Sequence, residues 1–489
     1  IRIFIIYNMK TFFFYDLETS GFSPRDDRIM QFAGQRTDLE LNPIGDPINI
    51  LVKLNDDVLP SPSALMVTKI SPQKTVQEGY SEAEFAKLCQ ESFFTEDTIA
   101  IGYNNIRFDD EHMRYLFWRN FYDPYEWQWK DGRSRWDMLD VVRMVRALRP
   151  EGINWPFKLN EETGEEIAIN KLELLTKENG IEHENAHDAL ADVVGLIEVA
   201  KLIKRKQPQI FNYLLKMRQK ANVQKIVNLE NPKPFVYSSG RYSAKYQKTT
   251  VAFPIAPAKN KNVIVWDLRV DPTPYIDWDD QKIAENITST WEERQKENFV
   301  SLPIKILQYN RCPAVALTDV LTKDNWQMLE LTPEVITKHI QVLANNPYLV
   351  TNIMTALEQK ESFYSENEAR DKNVEARLYD SFIDSKDKIR IEAVRNAGAR
   401  ELADFNPEFN DERLPELLLH YKARNFNKTL TIEEKEKWEK YRAENIQRML
   451  PNFKKELVEV SNRENLTTEQ KYILEEINLW LENILPDNI

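Results

Sequence analysis

Phe12-Phe13-Phe14-Tyr15-Asp16-Leu17-Glu18-Thr19-Ser20-Gly21 is the stretch on which the reading of this chain turns. Four consecutive aromatic residues have the character of a buried strand. Alternate residues of a strand share a face, so Asp16 and Glu18 project together from its end, and Thr19-Ser20-Gly21 turns the chain away. Side-by-side carboxylates repel each other unless a positive charge lies between them. Oxygen ligands suit magnesium or manganese. Taken alone, Asp-x-Glu is weak evidence, since most such pairs are surface strand ends.

Outward from this strand, residues 9 to about 205 read as α/β. Short strands are expected at 48–53 and 98–102, and helices at 81–92, 110–120, 138–148 and 188–205. In the last helix Leu190, Val193, Val194, Ile197 and Ala200 fall on one stripe, with Asp188 placed as its N-cap. Two more acidic positions open helices. Asn105-Ile106-Arg107-Phe108-Asp109 follows the strand at 98–102, and Asp109 reads either as a ligand or as an N-cap that Asp110 could equally supply. His187-Asp188-Ala189-Leu190-Ala191-Asp192 heads the last helix, where acids are also favoured by the helix dipole. Each element alone is better explained by structure; three of them, in this order and these contexts, form a metal-binding constellation.

The remainder of the chain sets the scale. With 489 residues, two to four domains are expected. Two distant cysteines, Cys89 and Cys312, exclude a disulfide framework and zinc-type Cys/His spacing, which fits a reducing cytosol. The apolar N-terminal run is interrupted by Arg2, Asn8 and Lys10, is too short to span a bilayer and lacks a signal cleavage site, so a cytoplasmic protein is expected; Met9 reads as a natural start. The net charge of −13 argues against a nucleic-acid partner only as an average. Between Lys206 and Asn262 lie eleven Lys or Arg and one acid, Glu230.

From 208 to 358 short β-rich runs are split by prolines, with strands expected at 251–253, 262–268, 303–307 and 314–316 and helices at 331–345 and 348–359. Residues 359–373 read as a polar linker. The rest is helical, with breaks expected at Pro407, Pro415 and Pro451.

Asp16-Leu-Glu-Thr-Ser-Gly21, Asn105-x-x-Phe108-Asp109 and His187-Asp188-Ala-x-x-Asp192, in this order, resemble the DEDD exonuclease superfamily in its histidine-containing branch. Gly102-Tyr-Asn-Asn-Ile-Arg-Phe-Asp-Asp-Glu111, Arg119-Asn-Phe-Tyr-Asp-Pro-Tyr125, Ser134-Arg-Trp-Asp-Met-Leu-Asp140 and Ala147-Leu-Arg-Pro-Glu-Gly-Ile-Asn-Trp-Pro156 look more closely like bacterial exonuclease I. The resemblance implies three domains: an RNase H-like α/β exonuclease domain with a mixed sheet (9–205), an SH3-like, mainly β nucleic-acid-holding domain (208–358) and an all-helical C-terminal domain (362–486). It implies a monomeric, processive 3′→5′ exodeoxyribonuclease acting in DNA repair and recombination. By motif, Asp16, Glu18, Asp109 and Asp192 would hold two magnesium ions, with manganese also suitable, and His187 would be the general base. Two metals about 4 Å apart can activate a water and stabilise the leaving 3′-oxygen, releasing a 5′-mononucleotide. Glu18, Thr19 and Ser20 would lie by the terminal 3′-hydroxyl. Lys171 stands where the family has a substrate-touching arginine; it keeps the charge and loses the bidentate fork.

For holding the strand, cationic and aromatic residues interleave near the second motif, among them Arg114, Tyr125, Trp129 and Arg143, and Asn105 and Phe108 of the motif itself are also expected to contact substrate. In the second domain Arg241, Tyr242, Lys245, Tyr246 and Lys248 form one run, read as a solvated basic hairpin or as a wall that holds DNA. Base stacking on such aromatics contributes about 1–3 kcal/mol per base. The resemblance further implies a pocket for the acidic C-terminal tail of single-strand-binding protein, with Arg149 as its basic residue and Tyr213 as its aromatic wall. Three rivals remain open at this level: an exoribonuclease of the same superfamily, a non-catalytic binding module that would be expected to have lost some acids, and a proofreading subunit.

Overall fold

A computed structural model describes residues 10–160, 164, 166–183, 188–367 and 373–486, with side chains omitted at 361–367. Two compact units result. One is formed by Ile1–Arg135, Glu182–Glu198 and Arg370–Ile489, the other by Trp136–Ile181 and Val199–Ala369.

The first unit is built around strand β1 (Thr11–Thr19), with β2 (Ile29–Thr37), β3 (Ile48–Leu51), β4 (Thr98–Gly102) and β5 (Ser134–Asp137) in a sheet of order β3-β2-β1-β4-β5. β2 runs antiparallel to β1, placing Asp16 opposite Ala33 and Glu18 opposite Gln31, while β4 is parallel, with Phe12 opposite Ile99. The sheet is therefore mixed, as expected. Its centre is covered on both faces, which is why β1 carries an unbroken aromatic run instead of an alternating one. Phe13 stacks on Phe32 and Phe93 at 6.2 and 6.0 Å, in a core with Phe85, Phe94 and Trp127. Gly34 of β2 is required there, since a Cβ would come within 2.6 Å of the Phe13 ring.

The C-terminal helices belong to the same body. Ile446, Phe453, Ile477 and Trp480 pack against Met30, Leu54, Val58 and Leu65, and Leu414, Leu417 and Tyr421 pack against Tyr115, Trp118 and Phe121. One helix runs unbroken from Ile432 to Ser461 through Pro451, where the sequence predicts a break. Pro451 and Gln447, whose carbonyl the proline ring leaves without its helical partner, both face solvent, while Ile446, Leu450 and Phe453 continue one buried face.

The second unit carries a small hairpin, β6 (Phe157–Leu159) with β7 (Glu166–Ala168). Its main sheet joins β8 (Phe235–Ser238), β9 (Thr249–Ala258), β10 (Asn262–Asp267), β11 (Ile304–Leu307) and β12 (Ala314–Leu317) in the order β11-β10-β9-β8-β12. Every neighbour in that sheet is antiparallel. Val251, Ile264 and Trp266 form its core with Leu343, Leu349 and Ile353 of two helices, Pro333–Asn345 and Pro347–Asn367. The second of these runs into the segment read as a linker, which is thus helical as far as Asn367; polar residues are as compatible with a helix as with a coil. Among the described residues no helix is long and apolar enough to cross a membrane.

Candidate active site

The end of β1 sets the site. Asp16 and Glu18 are the two partly exposed residues in an otherwise buried strand, as the period of two requires. After them the chain is pinned: the Ser20 amide donates to the Arg28 carbonyl at 2.8 Å, Ser20 Oγ donates to Asp27 Oδ1 at 3.1 Å, and Thr19 Oγ1 donates to the Gly21 carbonyl at 2.7 Å. Thr19 and Ser20 side chains are consumed in the turn, and the Ser20 carbonyl accepts from the Ser61 amide at 2.7 Å.

Asp192, in the first turn of the helix Ala189–Lys206, reaches the same spot. Asp16, Glu18 and Asp192 each offer a ligand oxygen, all within 4.8 Å of one another. Asp109, buried at the start of the helix Asp109–Arg119, acts on both β1 acids through its charge. Burial, with Asp109, Glu18 and Asp192 around it, pushes the Asp16 carboxyl well above the usual carboxylate range. Glu18 is raised to about 8, first by burial and then by Asp192, Asp109 and Asp188. Acids crowded in this way, with oxygen-only donors, fit divalent cations and are poorly served without them. His187 lies outside the described residues.

Asp110, next to Asp109, has a different task. It is fully buried and accepts hydrogen bonds from the Tyr15 hydroxyl, from Asn105 Nδ2 at 3.1 Å and from the Arg135 guanidinium. Asn105 is thereby a buried brace between the second motif and β1. Phe108 is part-exposed, with its ring 6.2 Å from that of Phe22, which is 82% exposed, and 4.6 Å from that of His112. Arg114 is tied to Glu111 at 2.6 Å, Gln128 at 2.9 Å and the Tyr379 hydroxyl at 3.2 Å, and lies over the Tyr125 ring at 5.5 Å. Trp129 is 64% exposed.

Within the second unit, Arg143 pairs with Asp140 at 2.5 Å, its guanidinium lying against Gly240. Lys171 is exposed and sits 3.3 Å from Glu173. Arg241 is exposed, whereas the Tyr242 ring is packed into the core with Tyr237, Val263 and Val315, so its face is not presented for stacking. Lys245 and the Tyr246 hydroxyl both meet Glu330, at 2.6 and 2.8 Å, and Arg269 covers the Tyr246 ring at 4.1 Å. Burial, with Arg143 nearby, lowers the Lys248 ammonium pKa. Arg149 donates to the Val320 carbonyl at 2.9 Å and Tyr213 to the Val315 carbonyl at 3.1 Å.

The sequence reading does not single out Phe22, Tyr379 or His183. His183 Nε2 lies 2.6 Å from Asp192 Oδ1. Its signal in the sequence is a second histidine four residues before His187. Gln31 Nε2 donates to Asp188 Oδ1 at 3.1 Å and to Asn49 Oδ1 at 2.9 Å, bracing the start of that helix against β2 and β3.

Family models match in the same order along the chain: Exonuclease over residues 13–200, Exonuclease I SH3-like domain over 218–359 and Exonuclease I C-terminal domain over 372–484. Exodeoxyribonuclease I of Haemophilus influenzae is 37% identical over 469 residues, covering 96% of this chain and 97% of the relative. The Escherichia coli enzyme of that name is 38% identical over 435 residues, covering 88% and 89%. The crystal structure of E. coli exonuclease I with a dA16 oligonucleotide superposes with a TM-score of 0.91 at 35% identity, over 98% of this chain and 100% of that one. A moderately thermophilic exonuclease I from Methylocaldum szegediense gives 0.88 at 35% identity, over 98% and 100%. With an α/β exonuclease domain on a mixed sheet, an SH3-like domain, a helical C-terminal part and the carboxylate cluster expected of a divalent-metal nuclease, the chain belongs to the exonuclease I family.

Proposed function

We propose that this protein is a processive 3′→5′ exodeoxyribonuclease that degrades single-stranded DNA to 5′-mononucleotides, using magnesium, in DNA repair and recombination. The observation that carries the reading is the convergence of Asp16, Glu18 and Asp192, with Asp109 beside them, in a chain of this family. Divalent cations held there supply activation of the attacking water and charge neutralisation at the leaving oxygen. Asp16, Glu18, Asp109 and Asp192 are the metal-holding acids of the proposal, and His187 is the base that takes the proton from water. Glu18, with the turn at Thr19 and Ser20 beside it, lies by the 3′-terminal hydroxyl, and Phe108 seats the terminal base. Arg114, Tyr125 and Trp129 are assigned to the strand behind it, and Arg143, Lys171, Arg241, Lys245, Tyr246 and Lys248, all of the second unit, are assigned to holding single-stranded DNA. Asn105 supports the site from behind, through Asp110.

The DNA assignment is supported by one relative, E. coli exonuclease I, crystallised with dA16 and with dT13 oligonucleotides. We assign the domains as 9–205, 208–358 and 362–486. A pocket for the acidic tail of single-strand-binding protein is assigned to Arg149 and Tyr213, and the protein is taken to work as a monomer in the cytoplasm, where the buried thiols of Cys89 and Cys312 stay reduced.

End-labelled single-stranded DNA and RNA, incubated with and without magnesium, test the reading. A ladder shortening from the 3′ end of DNA, abolished by chelator and by Asp16→Ala, is expected. Activity that survives chelation, or that is confined to RNA, overturns it.

A further inference from the structure

The His183 imidazole is nearly enclosed, its side chain 3% exposed, and its Nε2 is 2.6 Å from Asp192 Oδ1. The ring rests on the helix that carries Asp192. At Gly195, one turn further along, a Cβ would come within 3.3 Å of ring atoms Cγ and Nδ1. A glycine in a helix interior costs about 1 kcal/mol relative to alanine, and here it is what admits the ring. The chain thus spends a weak helix position to place a hydrogen-bonding ring on one carboxylate of the cluster.

That carboxylate needs placing. Asp192 is the one acid of the trio carried by a helix instead of the rigid centre of the sheet. Asp16 and Glu18 stand close to it, all three offering oxygens within 4.8 Å, so like-charge repulsion drives it to rotate away. A donor on one oxygen opposes that rotation. Partners behind metal ligands act in this manner, and losing one weakens metal affinity about 10–100-fold.

We propose that His183 is a positioning residue for the metal centre: its Nε2–H holds Asp192 in the rotamer that binds the divalent cation. The proposal rests on the cluster being the metal site of the nuclease. His183 touches neither substrate nor the reacting atoms and is separate from the base assigned to His187.

Manganese binding by the intact protein, followed by the electron paramagnetic resonance signal of free Mn2+, tests this without turnover. Glutamine can present an amide nitrogen near the place of Nε2, whereas leucine fills the volume with no donor and asparagine is too short to reach. His183→Leu and His183→Asn are expected to weaken Mn2+ binding about 10–100-fold, and His183→Gln to restore it to within about 5-fold of wild type, with circular dichroism confirming that each is folded. Should the leucine variant not fold, asparagine against glutamine carries the comparison. Wild-type affinity in the leucine or asparagine variant overturns the positioning role, and so does equal loss in all three, which would mean the ring acts by packing alone. A wild-type protein that binds no Mn2+, or binds it equally well as Asp16→Ala, overturns the metal-site reading itself.

Discussion

Neighbouring acids in the second motif show how little residue type decides without geometry. Asp109 faces other carboxylates, whereas Asp110 is locked by Tyr15, Asn105 and Arg135. Asp109→Asn is expected to abolish nuclease activity while leaving metal-free stability unchanged or higher. Asp110→Asn removes the carboxylate with which the buried Arg135 guanidinium pairs, which costs about 3–5 kcal/mol. Urea unfolding of the two variants separates these roles, and equal destabilisation would refute the division. Glu18 makes the companion case in pH. Its carboxyl is raised from 4.5 to about 8, so the metal-free folded protein binds this proton more tightly than the unfolded chain does. Stability then falls as pH rises through that window and the full penalty is present above it, on the order of a few kcal/mol for one group. In chelator, thermal unfolding of the wild type should therefore move to lower temperature between pH 5 and pH 8, and Glu18→Gln should flatten that slope. A wild-type slope kept by the variant would remove Glu18 as its cause. The acids were legible in the sequence because a strand's period of two and the starts of two helices fixed where they point. His183 was not, since nothing in the local pattern shows a residue before a helix folding back onto its first turn.

At the scale of elements, periodicity was a good guide wherever one face is buried and a poor one where chain chemistry is ambiguous. The aromatic strand, the helix Met138–Leu148 and strand β4 stand where their patterns place them. The segment after residue 359 and the helix around Pro451 do not, because polar residues are as compatible with a helix as with a coil and because proline reports a local preference that packing overrides. In the helix Ile432–Ser461 the buried stripe of Ile446, Leu450 and Phe453 outweighs one missing hydrogen bond on the solvent side. Pro451→Ala is then expected to stabilise the first unit by about 1–3 kcal/mol, since the proline contributes no core contact and disfavours the helix interior. Activity should not change. Destabilisation instead would show that the proline sets a bend on which the packing of Phe453 and Val460 depends.

Across the whole first unit, the exonuclease fold and the C-terminal helices share a buried ionic network as well as a core. Glu375 takes Arg28 at 2.9 Å, Arg424 at 2.6 Å and His420 Nδ1 at 2.8 Å; Arg424 also holds Asp57 at 2.6 Å, and Glu82 holds Arg119 at 2.7 Å. Three guanidinium groups thus balance three carboxylates, with every one of these side chains at most 2% exposed. No sequence pattern reveals such a set, because its members come from loops and helices hundreds of residues apart and each looks like ordinary surface charge. Its consequence reaches the site: the Arg28 amide donates to Ser20 Oγ at 2.9 Å and its carbonyl accepts from Ser20, so the network anchors the turn that follows Glu18. Removing one partner strands a buried charge. Arg424→Met is expected to cost about 3–5 kcal/mol and to lower activity together with stability. Adding Glu375→Leu restores the balance, leaving Arg28 and Arg119 against Asp57 and Glu82, so the double variant should recover at least half of that loss. Urea unfolding of the two single variants and the double closes the cycle. Strictly additive losses would mean that the charges are independent and that the helices are held to the exonuclease fold by the apolar core alone.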